Sequence, residues 1–126
     1  MSIRYLDLDD LLLTVDALHA HVRDLGMLAS AAARPHTTVY GVDAYPDLPT
    51  KTAALMHSLA RNHPLVDGNK RLAWIAGRLF LRLNGTVLNP TQDEAFNTVM
   101  ALAAGQIEVA ELARWIADHT AETSPT

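Results

Sequence analysis

The sequence predicts an all-α protein, a compact bundle of about six helices carrying one small β-hairpin flap. Three observations lead there. Ala (20) and Leu (19) far outnumber Val plus Ile (12), and unbranched side chains lose less freedom on a helix than β-branched ones. Apolar residues recur at helical spacing along most of the chain. Only one stretch, within residues 35–49, is rich in turn residues and β-prone. The length of 126 residues suits a single domain over 1–126, and 49% hydrophobic residues are enough for one core.

Each element has its own signal. Leu8, Leu11, Leu12, Val15, Leu18 and Val22 predict a helix over 8–23, with Asp7 as N-cap and Asp9 and Asp10 favouring its positive end. Gly26 should end that region. A short helix over 28–33 should stop at Arg34-Pro35, since the residue before Pro avoids the helical region. Residues 35–49 hold three Pro, one Gly and two Tyr and read as a long loop with a hairpin near Thr37–Tyr40. Thr52, Leu55, Met56 and Leu59 share one face of a helix over 50–62, ended by His63-Pro64. Leu72, Ile75, Ala76, Leu79 and Leu83, expected to face inward, mark a helix from Gly68 or Asn69, closed by Asn84-Gly85. Thr91 and Glu94 form a capping box for a helix to about Ala104. A last helix runs over 109–119, and 120–126 reads as a frayed tail.

Composition excludes several functions. The absence of Cys removes disulfide frameworks, thiol nucleophiles and Cys-ligated metal sites. The first residues carry acids where a secretory signal carries bases. The longest uncharged run, 95–107, is too short to span a bilayer, so a cytoplasmic protein is expected. The formal net charge of −4 argues against a general nucleic-acid binder. The charge is uneven, however. Residues 1–47 and 93–126 are acidic, whereas 48–92 hold Lys51, Arg61, Lys70, Arg71, Arg78 and Arg82 against one acid, Asp67. That basic middle suggests a local anion site. Lys51, Arg78 and Arg82 read as decoration of helix surfaces.

The chemistry concentrates in Arg61-Asn62-His63-Pro64-Leu65-Val66-Asp67-Gly68-Asn69-Lys70-Arg71. A helix N-terminus has backbone N–H groups without internal partners and a positive dipole end. Lys70 and Arg71 there are unfavourable for the helix and favourable for a polyanion, which makes a phosphate cradle. Gly68 lets a ligand approach the backbone. Asp67 is placed to hold Mg²⁺, which favours one or two carboxylates with phosphate oxygens. His63, with an ordinary pKa of about 6.5, suits a general base for a hydroxyl. The pattern is not a Walker loop, which needs Gly-x4-Gly-Lys-Ser/Thr. Rival readings are a silent helical module that only binds an anion or acidic protein, a helix-turn-helix DNA binder, and a metal hydrolase. The last two are weak: the 69–84 helix has few base-reading side chains, and His57 and His63 lack a third ligand.

His63 to Arg71 resembles the motif of the Fic/Doc superfamily, and especially its death-on-curing (Doc) branch, in eight of nine positions. Phe80-Leu81-Arg82-Leu83-Asn84-Gly85, Leu25-Gly26-Met27-Leu28 and Arg34-Pro35 resemble that branch too. The resemblance implies a Fic-type helical fold and a toxin that transfers the γ-phosphate of ATP to a Ser or Thr hydroxyl. It also implies a target in the translation machinery, with elongation factor Tu the family precedent, and a cognate antitoxin whose amphipathic helix fills a hydrophobic groove. His63 would be the base and Asp67 the Mg²⁺ ligand. Gly68, Asn69, Lys70 and Arg71 would hold phosphate, joined by Arg61, and the 36–45 flap with Tyr40 and Tyr45 would meet the target. Lys70 stands where Fic AMP-transferases have an open Gly, and Trp74 where they have a second Arg, so the resemblance favours phosphate over AMP transfer. Leu65 departs from the usual Phe, which puts the loop's geometry in question. No Glu has Ser or Thr four residues before it, so the family's self-inhibitory motif is missing.

Overall fold

The computed structural model describes residues 2–122. The described residues form six helices: α1 (Leu8–Ala17), α2 (Leu25–Ala33), α3 (Leu48–Asn62), α4 (Asn69–Leu83), α5 (Gln92–Ala103) and α6 (Val109–Asp118). A 3₁₀ turn covers Arg34–His36. Two small antiparallel pairs complete the fold. β1 (Thr38–Val39) pairs with β2 (Val42–Asp43), and β3 (Thr86–Leu88) pairs with β4 (Thr120–Glu122). No helix among the described residues is long and apolar enough to cross a membrane.

Helix α3 is the axis of the bundle. Ala53, Ala54, Leu55, Met56, Leu59 and Ala60 are all buried, so it is covered on nearly every side. Its main neighbours are α4 and α6. The small side chains allow close approach. Opposite Met56, α4 carries Gly77, where a Cβ would lie 2.5 Å from the thioether sulfur. Leu72, Ala73, Ala76, Phe80 and Leu81 of α4 and Leu112 and Ile116 of α6 complete the core.

The caps follow chemistry legible in the chain. Asp7 and Asp10 form a capping box on α1, and Thr91 and Glu94 form one on α5. Asp24 and Asp47 cap α2 and α3. The Asn84 side chain also ties down the N-terminal segment, accepting from Arg4 N and donating to Arg4 O, both at 2.9 Å.

Four expectations need correction. Helix α1 ends at Ala17, not residue 23. His19 takes a positive φ of 55°, and residues 21–24 leave the helix to pair with residues 64–66. Leu18 and Val22 keep the apolar spacing because both still pack on the core, as loop residues. Helix α2 starts three residues early, so Gly26 lies in its first turn rather than ending the preceding region. Lys51 is not surface decoration: it is 1% exposed. Its ammonium donates to the Tyr45 carbonyl at 2.6 Å and to Asp43 at 3.0 Å, anchoring the flap to α3. Burial alone would lower its pKa, but the bonds to Asp43 and Tyr5 outweigh that and hold it above 10.5. Finally, residues 120–122 of the expected frayed tail form β4, while 123–126 lie outside the described residues. The hairpin turns on Tyr40 and Gly41, both at positive φ, the geometry that suits the twist of a two-residue connection.

His119 fastens the β4 end of the chain. Nδ1 lies 2.7 Å from the Trp115 carbonyl and Nε2 lies 3.0 Å from Glu94 of α5. The bond to the Trp115 carbonyl raises its pKa above 6.5; burial opposes that rise, and the Glu94 carboxylate adds to it. A raised folded pKa means the protonated imidazole is bound best in the folded state. This contribution is therefore complete below about pH 6.5 and fades as pH rises through the folded value. Replacing His119 by Gln should lower the melting temperature more at pH 5.5 than at pH 8. An equal loss at both would show that the ring's charge contributes nothing.

Candidate functional site

The site grows from the turn between α3 and α4. His63 is the C-cap of α3 and adopts φ 51°, ψ 59°. That left-handed conformation costs a Cβ-bearing residue on the order of 1 kcal/mol, so the surroundings must hold it. Arg23 does so. Its Nε and Nη2 both donate to the His63 carbonyl, the former at 2.8 Å, and Nη2 also reaches the Asn62 carbonyl at 3.2 Å. A guanidinium thus meets the last carbonyls of α3, the negative end of its dipole. The backbone of 21–24 adds to the clamp. The N–H groups of Arg23 and Asp24 donate to the Pro64 carbonyl at 2.8 and 3.0 Å, and Val66 N–H donates to the His21 carbonyl at 2.9 Å.

Asn69 closes the turn from the other side. Its side-chain oxygen accepts from Leu65 N–H at 2.9 Å, and its amide nitrogen donates to the Leu65 carbonyl at 3.1 Å. Both halves of the carboxamide are spent on one residue's backbone. Leu65 is 1% exposed and fills the anchor position without loosening the loop. The Asn69 side chain therefore shapes the turn, and an anion could meet this position only at its backbone N–H.

A cleft of about 730 Å³ lies over this turn, lined by His63, Asp67, Gly68, Lys70 and Arg71 and, from α5, Met100 with its neighbours. Gly68 precedes α4 at φ 91° and offers no side-chain cap. The first-turn N–H groups of α4 thus lack the side-chain acceptor that Asp7, Asp24, Asp47 and Thr91 give their helices. No acid occupies that first turn, and Lys70 and Arg71 stand in it. One Asp67 carboxylate oxygen accepts from Gly68 N–H at 2.8 Å, which aims the group while it stays exposed.

The cleft gathers six of the seven candidate site residues. Arg61 stays outside its lining. It packs against Gly105, where a Cβ would lie 2.8 Å from its guanidinium. Tyr40 stands fully exposed at the flap's tip, 101%, and Tyr45 accepts from Arg34 Nε at 2.8 Å, so the two tyrosines do not line one surface. His57 sits half-buried between Arg34 Nη1 at 3.0 Å and Glu108 at 3.2 Å. Burial, and then the Arg34 charge, lower its pKa below 6.5. No group of three or more His, Asp or Glu poised for a metal occurs among the described residues.

The sequence model of the Fic/DOC family matches residues 5–81. The chain belongs to the Fic/DOC family. It is also 57% identical over 88 residues to the protein named Toxin Doc from Mycolicibacterium smegmatis, an alignment covering 67% of each chain. The Fic/DOC match contains α1 to most of α4, hence the whole His63–Arg71 turn and its Arg23 clamp. The opposite wall of the cleft, from α5, lies beyond the matched span.

Sequence reasoning missed Arg23. It lies 40 residues before His63, in a stretch that reads as helix, and no local pattern marks it. Its replacement by Ala should destabilise the protein by about 1–2 kcal/mol, the value of bonds from a charged donor at an exposed site. Hydrogen exchange should quicken at Val66 N–H while mid-α4 amides keep their protection. Unchanged exchange at Val66 would show that Arg23 holds nothing in place.

Proposed function

We propose that this Fic/DOC protein is the toxin of a toxin–antitoxin pair, transferring the γ-phosphate of ATP to a Ser or Thr hydroxyl of a protein of the translation machinery. The observation that carries the reading is the convergence of His63, Asp67, Lys70 and Arg71 on one cleft at the uncapped N-terminus of α4. Phosphoryl transfer consists mostly of positioning and charge neutralisation, and this cleft supplies both. The α4 amides, Lys70 and Arg71 hold the terminal phosphates. His63 takes the hydroxyl proton as the oxygen attacks phosphorus and ADP leaves. Its backbone, clamped by Arg23, presents the imidazole at the cleft's edge.

The donor set fits magnesium. A single exposed carboxylate, Asp67, with no second protein ligand cluster nearby, is a poor site for a closed metal cage. It is a good one for Mg²⁺, which completes its shell with phosphate oxygens and water. The bound ion would neutralise charge building on the phosphates.

Transfer of phosphate rather than AMP is supported by Lys70, whose side chain, in place of the open Gly of AMP-transferases, would crowd an α-phosphate bound in their manner. The relative named Toxin Doc supports the toxin role. By that analogy an antitoxin restrains the protein, and elongation factor Tu is the first target to test.

Incubated with Mg²⁺–ATP and elongation factor Tu, the protein should add the mass of one phosphate to its target. Addition of AMP would overturn the γ-phosphate reading, and no addition to any translation factor would overturn the target class. His63→Ala should lower transfer by at least about 10²-fold, the usual worth of a general base, with the melting temperature within a few degrees of the parent. A rate within threefold of the parent would remove His63 from the mechanism. Asp67→Ala should lose both activity and its response to added Mg²⁺. A variant that keeps its magnesium dependence would place the ion elsewhere.

A further inference from the structure

A second opening adjoins the cleft, between α4 and α5. It is an apolar slot of about 330 Å³. Trp74 of α4 and Phe96 of α5 line it, and Gln92 is its one uncharged polar side chain. Lys70, Arg71 and Met100 line both the slot and the cleft, so the two are continuous. Phe96 is 64% exposed, while Trp74 is steadied from behind by Trp115, their ring centroids 6.4 Å apart. An aromatic surface left open beside an anion site is a binding feature that the core does not require.

We propose that this slot receives the nucleobase of the nucleotide whose phosphates the cleft holds. The inference rests on the phosphate reading of the cleft and adds where the other end of the same molecule goes. A nucleoside triphosphate joins an anionic tail to a flat heteroaromatic ring, and the two openings offer those surfaces in that order. Bases stack on aromatic side chains with little regard to sequence. Arg71, at the junction, can face a ring as well as a phosphate. The Gln92 carboxamide carries both a donor and an acceptor, which suits the polar edge of a base. The volume is at the small end of ligand pockets, right for one ring system. An apolar helix of a partner would also cover Phe96, but it would leave Lys70 and Arg71 at the slot's mouth without counter-charge, whereas the nucleotide's own phosphates supply it. Trp74 takes part directly: an apolar ring there extends the slot where a cation would have extended the phosphate site.

Calorimetry on the full chain with two probes, Mg²⁺–ATP and Mg²⁺–tripolyphosphate, separates base from phosphate. Phe96→Ala should weaken ATP about ten-fold, a typical loss for one stacking partner, and tripolyphosphate by less than twofold. Phe96→Trp should restore ATP binding. In the unaltered chain, ATP should quench tryptophan emission and tripolyphosphate should not. The proposal falls if Phe96→Ala weakens ATP less than twofold, if both probes weaken equally, or if tripolyphosphate quenches as strongly as ATP. In those cases the phosphate cleft stands without the slot. If the unaltered chain binds neither probe, the phosphate reading falls as well.

Discussion

The Asn69 carboxamide bonded across both backbone polar groups of Leu65 is the interaction on which the rest of the site depends. It turns a six-residue connection between two long helices into a fixed loop. With Leu65 pinned, Pro64 and Val66 meet the backbone of 21–24, and Arg23 meets the carbonyls at the end of α3. His63 keeps its left-handed backbone because bonds on both flanks hold it there. A buried side chain at 65 supplies the apolar part of the clamp, and Leu suffices for it.

That turn also decides where charge accumulates. It places the C-terminus of α3 and the N-terminus of α4 side by side, and the two helix ends need opposite partners. Arg23 satisfies the first from within the chain. Among the described residues no side chain caps the second, and Lys70 and Arg71 add to its positive potential instead of opposing it. Stability alone would favour an acid there, as at the starts of α1 and α5. The proposed phosphate site accounts for this conflict between local helix chemistry and residue choice.

Much of this was legible in the chain. The capping boxes Asp7–Asp10 and Thr91–Glu94 and the boundary at His63-Pro64 depend on neighbours within a turn or two, which is where sequence patterns are informative. The inward face of α4 was read only in part: Leu72 and Ala76 are buried, but Leu79 is 43% exposed, and Ala73, Gly77, Phe80 and Leu81 complete the buried face instead. The membership of His63, Asp67, Gly68, Lys70 and Arg71 in one cleft followed from their being contiguous. What escaped depended on distant pairing. The Arg23 clamp joins positions 40 apart, and the β3–β4 pair joins 86–88 to 120–122. Helix α1 looked longer than it is because Leu18 and Val22 serve the same core from a loop. Lys51 looked like a surface residue because nothing local shows that Asp43 and the Tyr45 carbonyl will fold back over it. The Asn69 side chain looked free to meet phosphate because its partner, Leu65, shows no polar side chain; the bond is to its backbone.

The central claim is that the terminal phosphate of ATP sits on the first turn of α4, beside the His63 imidazole. A crystal structure with Mg²⁺ and a non-hydrolysable ATP analogue tests it most directly. The account predicts the γ-phosphate on the N–H groups at Asn69–Arg71, with the metal at Asp67 and His63 facing the phosphorus. An α-phosphate in that place, or nucleotide bound away from α4, would contradict it.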